Sequence, residues 1–140
     1  MSRVGTNLRT RLAAAGGAAL LVPIGLGTKI YAGPGADVVR ASVGGALYVA
    51  FFCLAALVVW PRARPWVVSA SVLGATCLVE VLQLWHPAWL EAIRATTPGG
   101  LLLGSAFGWE DFPWYGVGAL LGLGALLAAQ RLGGARRQAP

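Results

Sequence analysis

The sequence predicts an all-α membrane protein built as a bundle of four transmembrane helices, and three observations carry that prediction. Of its 140 residues, 57% are hydrophobic and only 11% are charged, whereas a soluble domain keeps roughly a quarter of its residues charged. Four stretches meet or approach the run of about 20 apolar residues that a bilayer core of about 30 Å requires. The six tryptophans fall at the ends of those stretches and none at mid-span, as expected of side chains that prefer the headgroup level. Intrinsic disorder needs the opposite composition, and the length fits one integral membrane domain over 1–140.

The first span, 12–30, follows Arg3, Arg9 and Arg11 and ends beside Lys29. Basic residues, an apolar run and the small residues of Tyr31-Ala32-Gly33 also match a secretory signal. Lys29 directly before any cleavage point, and the breadth of the run, favour a retained helix. The second and third spans, 41–60 and 66–85, are joined by Pro61-Arg62-Ala63-Arg64-Pro65, a stiff turn suited to antiparallel helices. The fourth, 114–132, carries Gly118 and Gly122 at GxxxG spacing, a pattern for close helix packing or for a homo-oligomer contact. A basic tail, 133–140, follows.

The connection 86–113 exceeds the length at which a structureless loop is expected. Pro87 can open a short helix that turns Trp89, Leu90 and Ile93 toward lipid and Glu91 and Arg94 toward water. Leu101-Leu102-Leu103 stands among Gly99, Gly100, Gly104 and Gly108, which predicts a segment that dips into the membrane surface and turns back.

Charge sets the orientation. With the N-terminus inside, Arg3, Arg9, Arg11, Arg62, Arg64, Arg131, Arg136 and Arg137 face the cytoplasm, while Lys29, Arg40 and Arg94 share the outer side with all five acids. The positive-inside rule therefore predicts a multi-pass inner (plasma) membrane protein with both termini cytoplasmic. The net charge of +6 anchors that topology and implies no nucleic-acid partner; membrane lipids are the expected partners.

Glu80 is the residue that most needs a reason, because a carboxylate within a span is costly unless paired, wetted or protonated. Gln83, Thr76 and Ser69 extend its face of the helix, so the stripe must look into the bundle. Lys29, which reaches a comparable depth, and Arg40 and Arg94, at the outer ends of their segments, are the cations able to neutralise the carboxylate, with Lys29 to Glu80 the pairing that depth favours. An outward-opening pocket of Lys29, Glu80, Gln83, Arg94, Thr96, Trp109 and Asp111 follows, in which cations hold phosphate and carboxylates hold amines. One histidine, His86, and two cysteines inside spans, Cys53 and Cys77, make no metal constellation. No phosphate-binding loop is present, no cofactor is expected, and Ser105 has no neighbouring base.

The run Glu80-Val81-Leu82-Gln83, Arg94-Ala95-Thr96, Gly104 through Asp111, and Trp114-Tyr115 resembles the VanZ-like superfamily. More closely, ExxQL, PAWLxAIRxT and LxLGxxFxWxD resemble a family of small bacterial membrane proteins catalogued as domain of unknown function 2809. Where that family opens its second span with Gly-Asp, this chain has Gly44-Gly45. The resemblance implies the fold and an envelope setting and brings no activity. Three functions are then in competition: a module that binds or processes an amphipathic envelope molecule (a lipid, a lipid-linked precursor or a lipopeptide), a lipid-headgroup enzyme with Glu80 and Asp111 as catalytic candidates, and a structural or assembly subunit.

Overall fold

The computed structural model describes residues 3–104 and 107–134; Ser105 and the tail from 135 onward lie outside the described residues. All regular elements among the described residues are helical. The order is α1 (Arg3–Ile30), α2 (Ala36–Val59), α3 (Pro65–Leu82), the short α4 (Ala88–Arg94) and α5 (Thr97–Leu103), and α6 (Asp111–Gly133). α1, α2, α3 and α6 are each long and apolar enough to cross a membrane. They run up and down in alternation, so one end of the bundle carries the α2–α3 turn and the other carries α4 and α5.

Its packing suits lipid rather than water. Leu20 and Leu120, near the middle of their helices, are 69% and 71% exposed, and Leu78, one turn from the end of α3, is 72% exposed, where a soluble bundle would bury leucines. The interior is made largely of small side chains, including Ala14, Ala18, Ala50, Ala119 and Ala129, with Val49, Leu57 and Leu126 between them. Apolar tails outside give helices no hydrophobic reason to associate, so close backbone approach must supply the contact. All six tryptophans are exposed and stand at the two ends of the bundle.

α2 and α6 form the central pair, with α1 against both and α3 against α6. Gly118 rests on Ala46, and Gly122 on Ala50 and Cys53; a Cβ on Gly118 would overlap the Ala46 backbone. The GxxxG pair is therefore used for close packing within the chain and is buried there. Ser69 Oγ donates to the Ala119 carbonyl at 2.7 Å and ties α3 to α6. At the α2–α3 turn Gln130 Nε2 donates to the carbonyls of Pro61 and Ala63, the latter at 2.8 Å, and Arg62 Nε donates to Asn7 Oδ1 at 3.0 Å.

Several boundaries and one helix face differ from the sequence expectation: α3 stops at Leu82 rather than 85 and α6 starts at Asp111 rather than 114, and two further starts have a cause in packing or backbone geometry. α1 begins at Arg3 rather than 12, because Thr6 and Thr10 are buried and Thr10 lies against Gly133 of α6; packing, which hydropathy does not register, holds these polar turns. α2 begins at Ala36 rather than 41, and residues Val39–Val43 form a π turn in which the Gly44 N–H bonds the Val39 carbonyl, five residues back. In α4, opened by Pro87 as expected, Leu90 and Arg94 are the buried residues, while Trp89, Glu91 and Ile93 face outward. Arg94 thus points inward rather than to water, since the carbonyls it meets there are stronger partners than solvent.

Candidate functional site

A cavity of about 480 Å³ lies at the α4–α5 end, bounded by the last turn of α1, the start of α2, the end of α3 and the start of α6, with α5 as its remaining wall. Its size is typical of small-molecule sites, about 300–1,000 Å³. The sequence fixes each wall locally. α3 stops at Leu82, leaving Gln83 as its C-terminal cap. α5 starts at Thr96, whose Oγ1 accepts the Gly99 N–H at 3.1 Å, and ends at Gly104 with φ 66°, ψ 179°, a conformation open to glycine. A Cβ at Gly104 would stand 2.5 Å from Gln83 Nε2, so this glycine is also required by close approach.

Glu80 is 1% exposed, and both its oxygens are occupied. Oε1 accepts the Gly108 N–H at 2.9 Å; Oε2 accepts the Tyr115 hydroxyl at 2.6 Å and Gln83 Nε2 at 3.3 Å. The carboxyl thereby joins α3, α6 and the strand of chain leading into α6. Gln83 Nε2 also donates to the Leu103 carbonyl at 2.9 Å, and Tyr48 on α2 donates its hydroxyl to the Leu102 carbonyl at 2.6 Å. These two bonds pin the tip of α5 over the cavity. Gln83 is 6% exposed, and its Oε1 has no protein partner although it is buried on the cavity wall. A buried acceptor without a partner is costly.

Of the seven residues expected in the pocket, Lys29, Glu80, Gln83 and Asp111 line this cavity together. Lys29 and Glu80 form no ion pair: Glu80 is held by neutral donors, and Lys29 is exposed in the final turn of α1, where the helix dipole favours a cation. Asp111 opens α6 beside Gly108; a Cβ on that glycine would lie 2.9 Å from Asp111 Oδ2. The other three stand elsewhere. Arg94 donates Nη2 to the Leu82 carbonyl at 2.9 Å, and Nη1 to the Trp85 carbonyl at 2.9 Å and to Glu91 at 2.6 Å, so its guanidinium closes the C-terminal end of α3. Thr96 caps α5. Trp109 is 75% exposed, with its ring edge-on to Phe107 at 4.9 Å.

Tyr48 and Tyr115 on the cavity wall were not singled out by the sequence, nor was Asp37. Their signal was available: Tyr115 sits one turn after Asp111, and a tyrosine hydroxyl inside an apolar span needs a partner as a carboxylate does. Arg40 also lines the mouth, its Nη2 donating to the Tyr31 carbonyl at 3.2 Å. Outside the spans, contacts with His86 at 2.9 Å and with Arg94 hold the Glu91 carboxyl below its ordinary range. Cys53 and Cys77 are free thiols, and among the described residues no three His, Cys, Asp or Glu side chains converge as a metal site would require.

The sequence model of a family described as "Protein of unknown function (DUF2809)" matches residues 35–119. That range takes in every residue of the cavity wall except Lys29. No solved structure matches the chain.

Proposed function

Given that the chain belongs to the DUF2809 family, whose description names no activity, we propose that it is a bacterial inner-membrane protein that binds the polar head of an amphipathic envelope molecule. The observation that carries the proposal is the cavity's chemistry. Lys29 and Arg40 at its rim offer cations for a phosphate. The Asp111 carboxyl offers an acceptor for an amine or hydroxyl. A head with both kinds of group, such as a phosphoethanolamine, is complementary to that set.

The setting is part of the same proposal. The arginine-rich end, with Arg11, Arg62 and Arg64, is taken as cytoplasmic and the cavity end as outward; α5 then lies at the outer membrane–water boundary as a shallow re-entrant piece, in a VanZ-like arrangement. An enzyme using Glu80 as acid or base has less support, because both its oxygens are engaged by Gly108, Tyr115 and Gln83, and that geometry favours a positioning role.

The test is mass spectrometry of lipids that co-purify with wild type and with Lys29→Ala and Asp111→Ala. A species enriched on wild type and depleted on both variants is expected. The same lipid profile on all three proteins would overturn the proposal.

A further inference from the structure

We infer that the molecule bound by this protein carries two hydrocarbon chains, which straddle α2 in two grooves. The inference rests on the head-binding reading of the cavity, and it specifies what hangs below the head.

Two apolar grooves share walls with the polar cavity. One, of about 190 Å³, lies between α1 and α2; it shares Lys29, Gly44, Tyr48, Leu101 and Leu102 with the cavity and continues past Val22 and Leu26. The other, of about 430 Å³, lies between α2 and α3; it shares Tyr48, Thr76 and Val79 with the cavity and continues past Val72 to Val59. Tyr48 is common to all three spaces. Phe52, one turn below it, lines both grooves, and the two rings lie 4.8 Å apart.

These two side chains form an aromatic ridge along α2 that separates the grooves, with its top fixed by the Tyr48 hydrogen bond to Leu102. A single chain descending from the cavity meets the ridge and must take one side. Two chains joined at one head fill both sides, with their junction above Tyr48. From Tyr48 to Val59 the second groove follows eleven residues of α2, a rise of about 16 Å, comparable to the roughly 15 Å of hydrocarbon in one leaflet. Lys29 is the one charged side chain on either groove, and it stands at the head end. The complementary ligand is therefore a diacyl lipid with an anionic or zwitterionic head.

The test is native mass spectrometry of the full chain titrated with dioleoyl phosphatidylethanolamine and with its one-chain lyso counterpart. Gly25 lines the first groove with nothing within 4 Å of an added Cβ, so Gly25→Leu has a free starting point from which to fill that groove. Ala75 is exposed on the wall of the second, and Ala75→Leu fills that one. Wild type is expected to prefer the two-chain lipid by about tenfold or more. Each block is expected to abolish that preference while leaving the lyso lipid bound as before. Equal affinity of wild type for both lipids, or blocks that weaken both lipids alike, would overturn the inference. Lys29→Ala separates the two levels. If it weakens both lipids while wild type shows no chain preference, the head site stands and the two-chain inference falls; if it changes neither lipid, the head reading itself falls. A phosphatidylethanolamine with a photoreactive group on each chain gives a second readout: adducts are expected on both α1 and α3, and adducts confined to one of them would overturn the inference even if a blocking variant failed to fold.

Discussion

Replacing Glu80 with alanine removes the acceptor of three donors at once. Two of those bonds are short, from Tyr115 at 2.6 Å and from the Gly108 N–H at 2.9 Å, while the Gln83 bond is long at 3.3 Å. A buried donor left unsatisfied costs about 1–3 kcal/mol, so the two short bonds imply about 2–6 kcal/mol. Hydrogen bonds between membrane helices average about 0.6 kcal/mol with a maximum near 1.7, which for two gives about 1–3.5 kcal/mol. The enclosure of Glu80, 1% exposed, places the expectation where the scales overlap, at about 2–3.5 kcal/mol. Unfolding of the purified protein in mixed micelles of mild detergent and dodecyl sulfate, followed by tryptophan fluorescence and circular dichroism, measures it. Glu80→Gln keeps one acceptor oxygen and is expected to lose about half as much. A double-mutant cycle of Glu80→Gln with Tyr115→Phe is expected to return a coupling of about 1 kcal/mol. If Glu80→Ala lay within about 0.5 kcal/mol of wild type, an effect of ordinary surface size, the clasp described above would not exist.

Arg94→Lys keeps the charge but cannot reproduce the fork that meets the Leu82 and Trp85 carbonyls together; amide exchange across 83–104 is expected to speed up by about tenfold, and unchanged protection would count against the capping role. Gly118→Ala drives a methyl into the Ala46 backbone and is expected to cost about 1–3 kcal/mol in the same micelle assay, whereas Gly25→Ala, with open space around its Cβ, is expected to be neutral or stabilising. Because contacts with His86 and Arg94 depress the Glu91 carboxyl, its contribution to holding α4 is fully present above the ordinary carboxylate range and is lost as pH falls through the depressed value. Amide protection of α4 is therefore expected to be flat from pH 7 to about 5 and to decline below about pH 4, by a small amount given the exposure of Glu91.

The four membrane-length helices were legible because burial in lipid is a one-dimensional demand, a run of apolar residues of a certain length. What escaped the sequence depends on a second element. The N-terminal turns of α1 are helical because Thr6 and Thr10 are buried, Thr10 against Gly133 at the end of α6, and nothing in residues 3–11 alone states that. Spacing correctly put Arg94 and Glu91 on neighbouring positions, but the rotation of α4 was set by carbonyls of α3 that no pattern within 88–94 encodes. Glu80 and Gln83 were legible as a face, and Asp111 as an acid at the right end. Their neighbours Tyr48 and Tyr115 enter from other helices, where one hydroxyl in an apolar run is a faint mark. Lys29 and Glu80 were matched by depth, yet depth is one coordinate of three, and a neutral hydroxyl and a backbone N–H occupy the carboxyl instead.

The π turn at Val39–Val43 makes α2 one residue longer than the rise it covers. A helix advances by about 100° per residue, and a π turn takes up its spare residue without passing that rotation on, so the rim above it, with Asp37 and Arg40, and the ridge of Tyr48 and Phe52 below keep the phase of a helix one residue shorter. Deleting a single residue there would let the helix close into regular α geometry with the rim still over the cavity, whereas the same deletion in a regular turn of α2 would swing the rim by about 100°. The turn therefore works as a slack joint: the chain can gain or lose one residue at this point while the mouth of the cavity and the grooves keep their relation to each other.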